Sequence, residues 1–189
     1  MFEQNFLSNY FTDLSKLVVS QDQCIQDLIK VKNILIETNK LGKKTLIFGN
    51  GGSAAIASHF SVDLTKNARI RCTNYNESDL LTCFSNDFGY ERWVEKAIEY
   101  YADPGDSLIL ISASGSSKNM LNGCEAAKRI KIKNIITLTG HSKDNPLRAK
   151  GNINFWVNTK AYNHIENIHQ ILLLSLVDLI IGKTEYSPN

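Results

Sequence analysis

Short apolar runs alternate with helix-like segments along most of this chain, and this alternation constrains its fold more than any other feature. The runs that fit β-strands are residues 45–48, 70–75, 108–112, 134–138 and 153–157. Between them, apolar residues recur at helical spacing, and residues 145–149 fit a further short helix. Strands that alternate with helices form a parallel sheet with helices on both faces. We therefore predict an α/β fold with a parallel sheet as its middle layer.

Long helices are predicted at both ends of the chain. Phe2, Phe6, Tyr10, Leu14 and Leu17 share one helical face, and a second amphipathic segment ends near Gly42. These two segments form an N-terminal helical extension over about residues 1–42, and residues 163–181 predict a long last helix. No linker or low-complexity segment divides the 189 residues, so we expect a single domain over 1–189.

The first predicted strand is followed by a glycine-rich turn, Gly49-Asn50-Gly51-Gly52-Ser53, and then by a helix. Glycines permit positive φ and a close approach of the backbone to a ligand. The amides and the dipole at the start of the helix favour a negative charge. The turn lacks the lysine of a P-loop and does not match the dinucleotide-binding pattern. It predicts a pocket for an anionic, phosphate-bearing ligand.

A second loop of this kind, Ser112-Ala113-Ser114-Gly115-Ser116-Ser117, follows the strand at 108–112. Its four hydroxyls and the amides of the next helix would hold a phosphate without a lysine or a metal. Gly/Ser clusters are also ordinary turn chemistry. Ligands of parallel α/β sheets bind outside the carboxyl ends of the strands, and both loops lie at such ends. Two such loops in one domain favour binding over simple turns.

The composition gives no reason to expect binding to nucleic acid or to a membrane, and it favours the cytoplasm. Lys and Arg number 21 and Asp and Glu 19, so a formal net charge of +2 gives no general reason to bind nucleic acid or a membrane. The four cysteines lack metal-site spacing and are expected to be reduced thiols of a cytoplasmic protein. The apolar stretch from Ile171 to Ile181 is interrupted by Ser175 and Asp178, so we expect a buried helix there rather than a membrane span.

The motifs together resemble a known family. They are Gly49-Asn50-Gly51-Gly52-Ser53-Ala54-Ala55 with His59-Phe60, Asn86-Asp87-x-Gly89, Ile111-Ser112-x-Ser114-Gly115-x-Ser117 and Glu166-x-x-His169. In order and spacing they are similar to the sugar isomerase (SIS) domain of the phosphoheptose isomerase type. The resemblance implies a flavodoxin-like three-layer sandwich, a homotetramer with sites between subunits, and a phosphorylated sugar as ligand. It also implies conversion of sedoheptulose 7-phosphate to an aldoheptose 7-phosphate, which feeds activated-heptose synthesis for lipopolysaccharide or capsule.

The resemblance also implies the residues of the site. The substrate-binding positions would be Asn50, Gly51, Gly52, Ser53, Asn86, Asp87, Ser112, Ser114, Ser117 and Glu166. Asn86 and Asp87 also suit a simple turn before glycine. Many members bind zinc, for which the matching ligands here are His59, Asp63 and Glu166; no other cofactor is expected.

The chain differs from the family at the positions of the catalytic and zinc-binding residues. Asp63 occupies the position of the family's catalytic glutamate, and Glu166 occupies that of a glutamine ligand of the zinc. Leu174 occupies the position of the catalytic, zinc-binding histidine, so we predict Asp63 and His169 as the catalytic pair, with His59 as a substitute partner. A histidine at position 169 also fits a packing role. Two functions therefore stay open: a sugar-phosphate isomerase, or a non-catalytic SIS protein that binds sugar phosphate or regulates a partner.

Overall fold

The centre of the fold is a five-stranded parallel sheet. The structure is a computed structural model that describes residues 1–19, 22 and 24–186. Its strands are β1 (Thr45–Phe48), β2 (Cys72–Thr73), β3 (Ser107–Ser112), β4 (Asn134–Thr139) and β5 (Ile153–Trp156). They lie in the order β2-β1-β3-β4-β5, and each neighbouring pair is parallel. This is the flavodoxin-like order, so the predicted fold class is confirmed.

Helices cover both faces of the sheet. In the described residues they are α1 (Phe2–Val19), α2 (Ile25–Lys40), α3 (Gly52–Lys66), α4 (Ser78–Phe88), α5 (Trp93–Tyr101), α6 (Lys118–Arg129) and α7 (Tyr162–Ile181). Alternate residues of a strand face opposite sides. On β3, Ile109 and Ile111 accordingly join the core formed with α2, α3 and α7, whereas Leu108 and Leu110 join the core formed with α5 and α6.

Two elements differ from the sequence prediction. The strand expected at 70–75 is reduced to Cys72–Thr73, which pairs only with the first two residues of β1. The helix expected at 145–149 is a series of turns. There the buried Asn145 side chain donates to the carbonyls of Gly140 and Ser142 and accepts from the amide of Arg148, so it replaces the hydrogen bonds of a helical turn.

Helix α7 is the one described helix with the length and apolar composition of a membrane span. Its apolar side is used inside the domain, because Ile165, Ile168, Leu172 and Leu176 are all buried in the core shared with α2 and α3. The expected buried helix at 163–181 is therefore present.

The topology brings the two predicted loops to one edge. Because β1 and β3 are neighbours, the turn after Phe48 and the turn after Ser112 lie side by side at the carboxyl end of the sheet. Helices α3 and α6, which follow these turns, pack on opposite faces of the sheet. The crevice between their N-termini is the topological switch point at which this class of fold binds ligands.

Candidate functional site

The first loop is built by three glycines with different tasks. Gly51 adopts φ +53°, which favours glycine, and it directly precedes α3. A Cβ at Gly49 would lie 2.4 Å from the backbone oxygen of Ser53, and one at Gly52 would lie 2.2 Å from Oε2 of Glu166. Gly49 thus lets the turn close on itself, and Gly52 leaves room for a carboxylate at the start of α3.

The second loop gathers hydroxyls. Oγ of Ser112 lies 3.0 Å from Oγ of Ser117 and 3.5 Å from Oγ of Ser114. The loop turns at Gly115, where φ is +67° and a Cβ would lie 2.0 Å from Oδ1 of the buried Asn145. Ser117 immediately precedes α6, so its hydroxyl stands at the start of that helix. The arrangement presents neutral donors and a helix dipole to an anion.

Both loops line one small cavity of about 160 Å³. Its walls are Asn50, Ser53, Ile111, Ser112, Ala113, Ser114, Ser117, Tyr162 and Glu166. Six of the predicted site residues therefore meet at the sheet edge, and Gly51 and Gly52 lie between two of them in the sequence. Glu166 is the single carboxylate among these walls, and the other polar groups are uncharged.

Three residues of this region were not predicted from the sequence. Asn119 is buried and pairs with Asn50 through two hydrogen bonds of 2.8 and 3.1 Å. The hydroxyl of Tyr90 donates to Oδ1 of Asn50 over 2.9 Å. Tyr162 lines the cavity one turn before Glu166. The available signals were a polar residue in the first turn of α6 and the spacing of four between Tyr162 and Glu166.

Helices α3 and α7 pack together and carry the remaining predicted groups. Nδ1 of His59 lies 3.0 Å from Nε2 of Gln170, and Nε2 of His59 lies 3.3 Å from Oδ2 of Asp63. Glu166, one turn before Gln170, is directed instead to Gly52. His59 and Asp63 therefore lie next to each other on α3, as their spacing of four predicts, but neither lines the cavity.

His169 lies in the core instead of in the cavity. Its ring is fully buried, and Nε2 donates to the carbonyl of Thr139 at the end of β4 over 3.2 Å. Burial lowers the pKa of His169 to about 4, so the ring is neutral at pH 7. The structure does not bring this side chain to Asp63 or to the cavity, and its catalytic role stays a prediction.

The zinc set expected from the sequence is not assembled. Among the described residues, no group of three or more His, Cys, Asp or Glu side chains is placed to hold a metal ion. Glu166 faces the N-terminus of α3, about 10 Å along the helix axis from the Cα of His59 at about 1.5 Å per residue. The arrangement of these side chains therefore does not support the prediction that His59, Asp63 and Glu166 bind one metal.

Asn86 and Asp87 lie in the last turn of α4, and both are exposed. Nδ2 of Asn86 donates to Oδ1 of Asp87 over 2.9 Å, and Gly89 follows with φ +84°. This agrees with the simple turn before glycine, while the contact with sugar hydroxyls stays a prediction.

The comparisons with known proteins define the class. Residues 9–140 match the SIS domain family, so this chain is a SIS-domain protein. It is 35% identical over 179 residues to a phosphoheptose isomerase of Photorhabdus laumondii, with 91% of each chain covered. Within the SIS class, the chain belongs to the phosphoheptose isomerase family.

Solved structures agree with this fold. A phosphoheptose isomerase of Francisella tularensis superimposes with a TM-score of 0.88 at 23% identity, over 97% of this chain and 100% of the other. The enzyme of Neisseria gonorrhoeae gives a TM-score of 0.87 at 24% identity, over 94% and 98%. These likenesses show that the described architecture is that of the family.

Proposed function

We propose that this protein is a sugar-phosphate isomerase that interconverts sedoheptulose 7-phosphate and an aldoheptose 7-phosphate, the reaction for which its family is named. One observation carries the proposal: the serine loop and the carboxylate of Glu166 line the same cavity at the switch point of the sheet. A phosphate site and a proton acceptor within one cavity are what an aldose-ketose isomerase of phosphorylated sugars needs.

Charge sets the direction in which the substrate lies. A phosphate dianion is attracted by the hydroxyls of Ser112, Ser114 and Ser117 and by the start of α6, and it is repelled by the carboxylate of Glu166. The phosphate end therefore occupies the serine loop, and the carbonyl end of the sugar extends towards Glu166.

The chemistry then assigns a task to that carboxylate. Glu166 removes a proton from C1 of the ketose, and the electron pair of the C–H bond forms the C1=C2 bond of an enediolate. The oxygen on C2 takes up a proton, the hydroxyl on C1 loses one, and a proton delivered to C2 completes the aldose. Asp63 is the competing candidate for the base, since it holds the position of the family's catalytic glutamate. No step is assigned to a metal, because the donor set does not fit one.

The cavity also bears on the assembly. Its volume of about 160 Å³ is below the roughly 300 Å³ of a typical small-molecule site, so the sugar extends beyond the part built by one chain. Helix α1 buries none of its residues, and Phe2, Phe6 and Phe11 are 81, 57 and 63% exposed. We propose that residues 1–189 form one domain and that α1 packs against other copies of the chain in a cytoplasmic homotetramer. We also propose that the product of the reaction enters activated-heptose synthesis. Light scattering should give four chains per particle, and Phe6→Lys should lower that number.

Incubation with sedoheptulose 7-phosphate in deuterated water tests the reaction. Proton NMR should show an aldose and deuterium at the exchangeable carbon. Glu166→Gln should abolish both while leaving binding measurable by calorimetry. Asp63→Asn is the matched variant: loss of exchange in Asp63→Asn with normal exchange in Glu166→Gln would transfer the role of base to Asp63.

The phosphate site has its own control. Ser117→Ala should weaken binding of the sugar phosphate roughly tenfold to a hundredfold, as expected for one hydrogen bond to a charged group. Ser58→Ala should leave it unchanged, because the hydroxyl of Ser58 is bonded to the carbonyl of Ala54 within α3.

The second candidate function is a sugar-phosphate-binding protein without turnover. It is favoured by two observations, the apolar Leu174 at the family's histidine position and the burial of His169. Binding of sedoheptulose 7-phosphate without product and without deuterium uptake would establish it and remove the isomerase proposal.

A further inference from the structure

The imidazole of His59 is held on both sides by its own chain. Gln170 of α7 approaches Nδ1 to 3.0 Å, and Asp63 of α3 approaches Nε2 to 3.3 Å. We infer that this row of side chains, Gln170–His59–Asp63, replaces the zinc that the family resemblance implies, and that the protein works without a metal at this place. The inference deepens the proposed function and rests on it, since it concerns whether the proposed isomerase uses a metal between α3 and α7.

The contacts of the two ring nitrogens select the tautomer of the neutral ring. The amide nitrogen of Gln170 can only donate, so Nδ1 of His59 accepts and its lone pair is used. The proton of the neutral ring is then on Nε2, which lies 3.3 Å from the carboxylate of Asp63. The reverse arrangement would place an unprotonated Nε2 against a carboxylate oxygen, two acceptors facing each other. Zinc binds an imidazole through a free lone pair, and in this row His59 has none to offer.

The remaining donors of a zinc site are missing or face elsewhere. A structural or catalytic zinc needs three or four ligands. Leu174, one turn beyond Gln170, supplies only carbon, and the carboxylate of Glu166 is placed at Gly52. His169 is directed to the end of β4 through its bond to Thr139. A metal near His59 would therefore find fewer than three such side chains in the part of the chain that the structure describes.

The row also gives His59 what a metal would otherwise supply, a fixed orientation. The ring is about half exposed, with 48% of its side-chain surface accessible, and a free imidazole there would sample several rotamers. The hydrogen bond from α7 and the nearby carboxylate on α3 select one of these rotamers. Each of the partners is on α3 or α7, so the row also ties these helices together about two turns beyond the start of α3.

Zinc content is the direct test. The purified full-length protein is incubated with an excess of zinc sulfate, desalted and analysed by mass spectrometry for metal. The wild type should retain less than about 0.1 zinc per chain, because two anchored ligands do not make a tight site. A triple variant, Asp63→Glu, Gln170→Ala and Leu174→His, frees Nδ1 of His59, adds a carboxylate and a histidine beside it, and should retain about one zinc.

Further measurements decide each outcome. One zinc per wild-type chain that is lost in His59→Asn would overturn the inference, and so would a folded triple variant that gains no zinc. Zinc that persists in His59→Asn lies elsewhere and supports it. If the triple variant does not fold, the tautomer of His59 decides, since nitrogen-15 NMR of the wild type should show the proton on Nε2 and no shift on adding zinc. A proton on Nδ1, or a zinc-induced shift, would overturn it.

None of these measurements depends on turnover. An inactive protein that still excludes zinc would refute only the proposed reaction, whereas an active protein that holds zinc through His59 would refute only the inference.

Discussion

Replacing Gly52 by alanine should separate catalysis from stability in this protein. The new Cβ would lie 2.2 Å from Oε2, 2.6 Å from Cδ and 2.7 Å from Oε1 of Glu166. Ordinary contact begins near 3.4 Å. The carboxylate must therefore retreat by about 1 Å, and because it is the far end of a flexible side chain, it moves while the backbone stays.

The two consequences differ in size. A misplacement of about 1 Å in a reacting group costs on the order of a hundredfold in rate, or about 2.7 kcal/mol of transition-state stabilisation. Gly52 lies in the first turn of α3 and its φ is not positive, so alanine fits the backbone and should change the free energy of unfolding by less than about 1 kcal/mol. We expect a rate defect without a stability defect.

The assay is turnover of sedoheptulose 7-phosphate together with urea denaturation. Gly182→Ala is the matched control, because Gly182 ends α7 at φ +86° with nothing within 4 Å of a Cβ. It should lose about 1 kcal/mol of stability and keep its rate. In a Glu166→Ala background, Gly52→Ala should cause no further loss, since the contact is gone. Turnover of Gly52→Ala within about twofold of wild type would refute this reasoning.

Two further predictions concern stability. Asp106 is buried, and its carboxylate accepts hydrogen bonds from the amides of Lys44 and Asp103 and pairs with the ammonium of Lys44. Asp106→Ala should therefore lower the free energy of unfolding in urea by about 3–5 kcal/mol, and Asp106→Asn clearly less. Equal losses in the two variants would contradict this. The pKa of His169 is about 4 in the folded protein and near 6.5 in an unfolded chain, so the unfolded state binds the extra proton first as the pH falls. Stability should therefore decrease from about pH 6.5 towards about pH 4 by up to about 3 kcal/mol, and His169→Gln, which can still donate to Thr139, should flatten this part of the denaturation profile.

The sequence predicts the layers and the positions of the two Gly/Ser loops well because local rules determine them. Alternation of strands and helices fixes a parallel sheet, and glycine or serine after a strand marks a turn at its carboxyl end. The extent of β2 was not predictable in this way, since an edge strand ends where its chain leaves the neighbouring strand, and β2 pairs with only the first two residues of β1. The turns at 145–149 depend on the side chain of Asn145, which bonds to carbonyls outside that segment.

The chemistry of the site is the less predictable part. Spacing places His59 and Asp63 on one face of α3, but it does not reveal that Gln170 of α7 occupies the second ring nitrogen. That contact joins side chains from two helices far apart in the sequence, so it depends on how α3 and α7 pack.

The same limit applies within α7. Glu166 and His169 are three residues apart, a spacing that predicts neighbouring positions on one side of the helix. In the structure Glu166 reaches the cavity and His169 reaches the end of β4. The two side chains point in different directions because this side of α7 packs against both α3 and the sheet. Spacing alone does not show which of these two elements each side chain contacts.

The walls of the cavity carry no positive charge, and this determines how a ligand is found as well as how it is held. A hydroxyl or a helix terminus attracts an anion only over a short distance, because the field of a dipole decreases faster than that of a full charge. Among the described residues the walls contain one carboxylate and no cationic side chain, so they provide no long-range steering of a phosphorylated sugar into the site. The association rate should accordingly depend little on ionic strength, and selection among anions is made by shape after arrival.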